Sequence, residues 1–112
     1  MYGHSVNERP MEFARFDEAD FRRAEMVNSD VRGANFRSAK FDRARASRSN
    51  FSGCDLEDVR MFRAELYEVD FTGANLKNAD FRNANLTGAD FTGASVEACR
   101  WENAILDGVK GL

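Results

Sequence analysis

The chain of 112 residues contains 43% hydrophobic residues, enough for one domain with a buried core. Its 16 basic and 19 acidic residues give a formal net charge of −3, whereas a protein that binds nucleic acid directly is usually clearly basic. One histidine, His4, and two cysteines, Cys54 and Cys99, are too few for a disulfide framework or an ordinary zinc site, so we expect no metal and no cofactor.

Residues 1–13 form a separate N-terminal segment, because the regular pattern described below begins only at Ala14. The segment lacks the continuous apolar stretch of a signal peptide, and no apolar run in the chain approaches the roughly 20 residues of a membrane span. These features favour a cytoplasmic protein without a membrane segment. We expect residues 1–13 to cap the N-terminal end of the domain, with Phe13 against the first apolar layer.

Residues 14–108 follow a period of five. Every fifth residue from Phe16 to Leu106 is apolar, in 19 consecutive units. The residue two places earlier is always small or of modest size, and the residue between the two is usually polar. We number the five positions of a unit from i−2 to i+2, with the large apolar residue at i. This period matches neither the 3.6 residues of an α-helix nor the two-residue period of a long strand.

Each unit predicts a three-residue strand followed by a two-residue turn. Positions i−2 and i are two residues apart, so both face inward if the chain is extended there. Glycine recurs at i+2 and supplies the positive φ that some tight turns require. Four of these glycines are separated by intervals of 20 residues, which indicates a coil of four units with the glycines stacked at one corner. They are Gly33, Gly53, Gly73 and Gly93.

A coil of four units has four sides, each with its own column of inward residues at position i. Side 1 contains Phe16, Phe36, Leu56, Leu76 and Val96. Side 2 contains Phe21, Phe41, Met61, Phe81 and Trp101. Side 3 contains Met26, Ala46, Leu66, Leu86 and Leu106, and side 4 contains Val31, Phe51, Phe71 and Phe91. Aromatic rings stacked one coil apart pack well along such columns.

The repeat is of the A(D/N)LXX type, clearest in residues 74–93, and resembles that of the pentapeptide-repeat proteins. The resemblance covers residues 14–108. It implies an all-β fold, a right-handed quadrilateral parallel β-helix with four units per coil and about 4.75 coils, in agreement with the glycine spacing. Such a solenoid has one continuous core in which each coil contacts only its neighbours.

Residues 109–112 form the C-terminal end, which stays in register without a capping element. Ile105 occupies an outward i−1 position, and Val109 and Leu112 follow it. This apolar end predicts a homodimer formed end to end through the C-terminal coil. Characterised members of the family that the sequence resembles also dimerise through this coil. The alternatives are that the chain is a fragment or that a frayed apolar end is tolerated.

The outward residues divide the charge unequally among the sides. Side 2 sums to +4, whereas sides 1, 3 and 4 sum to −3, −2 and −1. Side 2 carries a column of arginines at i+2, which would repel one another at the spacing of stacked coils; they are Arg23, Arg43 and Arg63. The column is either a site for an anionic or acidic partner or a solvated surface neutralised by the nearby Glu25 and Glu65.

Phe62 and Tyr67 occupy outward i+1 positions in the third coil, close to the arginines. Exposed aromatic residues beside arginine are typical of protein interfaces. We therefore count Phe62 and Tyr67 with the three arginines as candidate protein-interaction residues. The alternative is that both rings lie flat over the turns.

No catalytic signature is present: the chain has no HExxH, phosphate-loop, GxSxG or CxxC motif. Its carboxylates fall on a regular convex surface, whereas catalysis requires a concave site. We therefore expect no enzymatic activity. The function predicted by the pattern is that of a rigid scaffold that binds a protein partner, of unspecified identity, through the outer sides of the β-helix.

The resemblance also implies an alternative function. Some pentapeptide-repeat proteins imitate duplex DNA and bind type II topoisomerases such as gyrase, and some of them protect the enzyme from quinolones. Such a mechanism requires a continuous acidic surface along the helix. Here the acidic charge is patchy, with a cluster around Asp55, Glu57 and Asp58, and side 2 is basic. The chain also lacks the loop insertions of the quinolone-resistance members.

Overall fold

The computed structural model describes residues 14–112, which form the predicted right-handed quadrilateral parallel β-helix. Within this range, no residue belongs to a helix or an extended strand, because neighbouring coils are joined by isolated parallel bridges of one residue each. Each bridge connects position i−1 of one unit with the residue 20 places later, from Arg15–Asn35 to Asp90–Lys110. This spacing confirms four units per coil. The predicted cap of residues 1–13, including His4 and Phe13, lies outside the described residues.

Three backbone hydrogen bonds per unit connect each coil to the next. In one unit on side 1, the Phe36 amide donates to the Asp55 carbonyl at 2.8 Å, and the Asp55 amide donates to the Ala34 carbonyl at 3.1 Å. The Ser38 amide then donates to the Glu57 carbonyl at 2.9 Å. The predicted strands therefore run parallel to those of the neighbouring coils. Only the middle residue of each strand, at i−1, forms the bridges to the coils before and after it.

A tight turn closes every corner. The amide of the residue after i+2 donates back to the carbonyl of residue i, as Ala39 does to Phe36 at 3.0 Å. Position i+2 has a positive φ in all 19 units, which is the requirement of a type II turn. Only six of these residues are glycine, and the other 13 are L-amino acids held in the left-handed region. Glycine thus fits the corner but is not needed to form it.

The frequent Asp and Asn residues at i−1 have a structural cause. The amide at i+1 makes no backbone hydrogen bond within residues 14–112, and the side chain at i−1 reaches across to accept from it. In the Asp70 unit, the Thr72 amide donates to Oδ1 at 2.8 Å and the Thr72 hydroxyl donates at 2.6 Å. All ten Asp and Asn residues at i−1 accept this bond: Asp20, Asp30, Asn35, Asn50, Asp55, Asp70, Asn75, Asp80, Asn85 and Asp90.

The core is a continuous stack of the residues at i−2 and i. Aromatic rings on one side stack face to face between coils, as in Phe71 and Phe91 with centroids 5.2 Å apart. Rings on different sides meet edge to face, as in Phe36 and Phe41 on adjacent sides at 5.4 Å and Phe71 and Phe81 on opposite sides at 5.8 Å. Residues at these positions are fully buried from Met26 to Phe91, and they are half-buried in the first and last coils.

The C-terminal residues continue the helix beyond the predicted boundary at residue 108. Lys110 still bridges Asp90, and its amide donates to the Ala89 carbonyl at 3.0 Å. Gly111 follows with φ 82° and lies against the backbone of Thr92, where a Cβ atom would clash with the Thr92 nitrogen. Any larger residue at 111 would therefore displace the end of the chain.

Candidate protein-interaction surface

The arginine column, Arg23, Arg43 and Arg63, stands at the corner between sides 2 and 3. The Arg23 amide donates to the Asp42 carbonyl at 2.9 Å and the Arg43 amide donates to the Phe62 carbonyl at 2.8 Å, so the backbone of each arginine is tied to the coil above. All three have φ between 58° and 62°, and all three side chains are exposed. The turns therefore hold the backbones of the three arginines in a row along the helix axis.

Most arginines of this protein are paired with carboxylates, but the column is not. Eight of the twelve arginines in residues 14–112 form ion pairs: Arg15, Arg22, Arg32, Arg37, Arg45, Arg48, Arg60 and Arg82. Among residues 14–112, the four arginines without a carboxylate partner are all on side 2: Arg23, Arg43, Arg63 and Arg100. Arg100 was not singled out from the sequence, although the i−1 column of side 2 contains it.

Glu25 and Glu65, the nearby acids that could neutralise the column, form no ion pair with it within residues 14–112. Both glutamates point to Arg45, which lies between them on side 3, with Nη1 3.3 Å from Glu25 Oε1 and Nε 3.7 Å from Glu65 Oε2. Arg45 occupies the same i−1 column of side 3 as the two glutamates, one coil from each. It is therefore close enough to pair with both.

Three of the four carboxylates of side 2 itself, Asp20, Asp42 and Asp80, are also paired with arginines. Arg22 binds Asp20 at 2.7 Å, and Arg60 binds Asp42 at 2.6 Å. The hydrogen bond from the Arg22 side chain, supported by the Arg22 amide, lowers the pKa of Asp20 to about 2. Since these acids are committed to other arginines, the charge of the column remains available to an outside ligand.

Phe62 lies beside the top of the column, but it is half-buried rather than exposed. The guanidinium carbons of Arg63 and Arg82 are 5.3 and 5.5 Å from the centre of its ring, which is the geometry of a cation–π contact. The Phe62 ring therefore packs under two arginine side chains and is not freely exposed as an interface anchor.

Tyr67 is the exposed aromatic residue of this region, with 38% of its surface accessible. Its amide donates to the Ser47 hydroxyl at 3.1 Å. Shallow hollows of about 380 and 290 Å³ lie on its two sides, the first lined by Thr87 and Gly88 and the second by Val27 and Ser47. Because its column neighbours are small, the Tyr67 ring stands out at the corner between sides 3 and 4, beside Arg48 and Glu68. The expectation that it lies close to the arginine column is wrong, because side 3 separates it from the corner that carries Arg63.

The C-terminal end presents a second candidate surface. Ile105 is 45% exposed and Leu112 is 57% exposed, while Val109 is half-buried against the core. Trp101 and Leu106 of the last coil are also only partly covered. The residues predicted for a dimer interface therefore belong to one apolar end of the helix, separate from the arginine column.

The two cysteines face the interior and have no reactive character. The Cys54 thiol donates to the Val31 carbonyl at 3.2 Å, and the Cys99 thiol to the Leu76 carbonyl at 3.0 Å. Burial raises the pKa of Cys54 to about 12 and that of Cys99 to about 11, so both remain protonated at neutral pH. Residues 14–112 contain no cluster of His, Cys, Asp and Glu that could hold a metal ion. None of them belongs to a helix capable of spanning a membrane.

The fold and the repeat define the class of protein. The family described as pentapeptide repeats matches residues 14–53, 64–100 and 84–110, with eight copies of its profile. The chain therefore belongs to the pentapeptide-repeat family.

Solved structures of other family members share the fold. Rfr23 from the cyanobacterium Cyanothece 51142 is 18% identical, with a TM-score of 0.87 over 92% of this chain and 84% of its own. The protein alr5209 from Nostoc PCC 7120 is 27% identical, with a TM-score of 0.74 over 88% of this chain and 84% of its own. QnrB1, a plasmid-mediated fluoroquinolone resistance protein, is 19% identical, with a TM-score of 0.53 over 96% of this chain and 69% of its own. No curated protein matches the sequence significantly.

Proposed function

We propose that this protein is a non-catalytic scaffold that binds another protein through the outer sides of its β-helix. The observation that carries the proposal is that the arginines without an ion pair in residues 14–112 are concentrated on side 2, while Tyr67 is exposed at the far edge of the adjacent side 3. Such a combination of arginine and tyrosine is typical of interface hot spots. The inert thiols and the shallow surface hollows also favour binding over chemistry.

The proposal is tested by capture of partners on immobilised protein from the source cells. We compare wild type with Arg43→Glu/Tyr67→Ala, and with the matched control Lys77→Glu/Thr92→Ala, which makes the same kinds of change on sides 1 and 4. A specific partner should be retained by wild type and the control and lost by the first variant. Absence of any specific partner would contradict the scaffold function, whereas identical partner lists for all three would contradict only the choice of surface.

Binding to a type II topoisomerase is the second candidate, and the shared fold with QnrB1 is the observation in its favour. The charge of this chain argues against it. The acidic cluster on side 1 is partly neutralised, because Arg37 lies 3.4 Å from Asp55 and 3.2 Å from Glu57. A gyrase supercoiling assay with and without a quinolone decides the matter. Neither inhibition nor protection at micromolar protein would remove this candidate.

A homodimer through the C-terminal coil is part of the proposed assembly. Two copies meeting at this end would cover Ile105, Val109 and Leu112 on both chains. Gel filtration of Ile105→Lys should show a shift from dimer to monomer, because a buried lysine without a partner opposes association. Wild type that already elutes as a monomer, or a variant that elutes with the dimer, would exclude this interface.

A further inference from the structure

We propose that the arginine column binds an acidic α-helix of the partner protein, with carboxylates from one face of that helix paired along Arg23, Arg43 and Arg63. The inference rests on the proposed scaffold function and specifies the chemistry of its partner. It concerns the corner between sides 2 and 3 and is independent of the C-terminal end.

Within residues 14–112, none of the three arginines of the column forms an ion pair. Nearby carboxylates are bound elsewhere: Glu25 and Glu65 to Arg45, and Asp42 to Arg60. Stacked like charges are unfavourable at close spacing, so an acidic ligand would relieve a repulsion that the fold itself leaves in place. Guanidinium groups bind carboxylates through two parallel hydrogen bonds, which makes arginine well suited to this contact.

The spacing of the column selects a helix. Stacked coils are about 4.8 Å apart, so the outer two arginines of the column are about 9.6 Å apart. On an α-helix, residues j, j+3 and j+7 lie on one face at heights of about 0, 4.5 and 10.5 Å. On an extended strand, three successive residues of one face would span about 13 Å. The helix is therefore the closer match for three simultaneous pairs.

The surroundings of the column disfavour a nucleic acid. Sides 1 and 3, which flank side 2, sum to −3 and −2. A polyanion wider than the column would meet these acidic sides, whereas a helix with one acidic face presents neutral or basic residues to them. The Phe62–Arg82 contact lies beside the column in the third and fourth coils and offers an apolar rim to such a helix. Arg100 adds a further unpaired cation that would attract the acidic face from a distance.

Fluorescence anisotropy with synthetic helical peptides tests the inference on the full chain. The first peptide is rich in Ala and Gln and carries three glutamates at j, j+3 and j+7. The second has the same composition with the glutamates distributed around the helix. We expect wild type to bind the first peptide roughly tenfold more tightly than the second, and to lose this preference at high salt.

Two triple variants locate the contact. Arg23→Gln/Arg43→Gln/Arg63→Gln should abolish the preference for the first peptide. Arg15→Gln/Arg37→Gln/Arg48→Gln removes the same charge from sides 1 and 3 and should retain it. Circular dichroism establishes that both variants are folded, and the comparison of the two peptides on wild type remains decisive if either is not.

The inference is overturned if wild type binds both peptides equally, if both triple variants lose the same affinity, or if a single-stranded DNA oligonucleotide binds the column more tightly than the first peptide. None of these three results prevents wild-type protein from retaining a specific partner in the capture experiment that tests the scaffold function. The failure of this inference is therefore distinguishable from failure of the scaffold function.

Discussion

Individual residues at the corners adopt a backbone conformation that most amino acids avoid. Thirteen residues other than glycine have a positive φ at i+2, Ala98 among them at 59°. The left-handed region costs an L-residue roughly 1–2 kcal/mol, and the core and the inter-coil hydrogen bonds must outweigh that cost in every such unit. Each corner without glycine is therefore strained, and a single substitution to glycine can relieve that strain.

Ala98→Gly should stabilise the protein by about 0.5–1 kcal/mol, because the relief at φ exceeds the larger chain entropy of unfolded glycine. Urea unfolding monitored by circular dichroism measures the change. Ser95→Gly is the matched control, since Ser95 is also exposed on side 1 but has no positive φ. It should destabilise the protein, and a gain from both variants would contradict the explanation.

The Asp residues at i−1 make stability depend on pH. The hydrogen bond from Arg22 lowers the pKa of Asp20 from its ordinary 3.8 to about 2, and Arg82 lowers that of Asp80 against the opposing effect of burial. A carboxyl group with a lowered pKa in the folded state stabilises that state above its ordinary pKa, and the contribution is lost as the pH falls through the folded value.

The melting temperature should therefore fall as the pH is lowered from about 4 to about 2. Asp20→Asn should weaken this dependence, because an amide oxygen can still accept from the Arg22 amide but has no proton to gain. Scanning calorimetry at several pH values measures the effect. Asp107→Asn, at an exposed residue without an ion pair in the described part of the chain, should follow the wild-type profile.

At the level of the five-residue unit, the sequence predicted the architecture and missed part of its chemistry. The spacing of Gly33 and Gly53 indicated the four-sided coil, because stacked corners favour the same residue. The positive φ at corners without glycine was not predicted, because the residue types of Arg43 and Ala98 do not by themselves indicate a left-handed backbone. The ion pairs of Arg45 and the contact of Arg63 with Phe62 depend on side-chain rotamers, which a repeat period does not specify.

The aromatic columns determine how stability is distributed along the helix. Phe71 is fully buried and stacks on Phe51 and Phe91 at 5.7 and 5.2 Å. Trp101 stacks on Phe81 at 5.1 Å but is half-buried, because it belongs to the last coil. Central coils are therefore held from above and below, whereas the last coil is held from one direction.

Phe71→Ala should cost about 3–5 kcal/mol, because the surrounding rings cannot close the space that it leaves. Trp101→Ala should cost less, although it removes a larger side chain. Urea unfolding measures the free energy of unfolding of both variants. Phe71→Leu keeps most of the side-chain volume, so its stability should lie between those of wild type and Phe71→Ala. A greater loss for Trp101→Ala would show that the C-terminal end, rather than the centre, determines stability.

For the molecule as a whole, the regular stacking makes coils interchangeable. Deletion of residues 74–93 removes one complete coil and joins Gly73 to Ala94, so every remaining residue keeps its side and its position in the unit. The arginine column and Tyr67 are left in place. In a solenoid whose units contact only their neighbours, such a deletion lowers stability without changing the fold.

We expect the variant lacking residues 74–93 to keep a β-type circular dichroism spectrum and to melt at a lower temperature than wild type. It should also keep any binding that depends on the column. Deletion of only residues 74–76 is the control, because it moves every later apolar residue out of position i and should unfold the C-terminal part. Loss of folding in both would show that the coils are not independent.

The parallel bridges also determine how the protein responds to force. Successive partners are 20 residues apart throughout, so Arg15 and Lys110 lie in coils at opposite ends of the axis. Tension applied along that axis loads the inter-coil hydrogen bonds of a terminal coil first, and each coil that peels away releases roughly 60–70 Å of extended chain. Under tension the molecule should therefore unfold one coil at a time from its ends, while the remaining coils keep their structure.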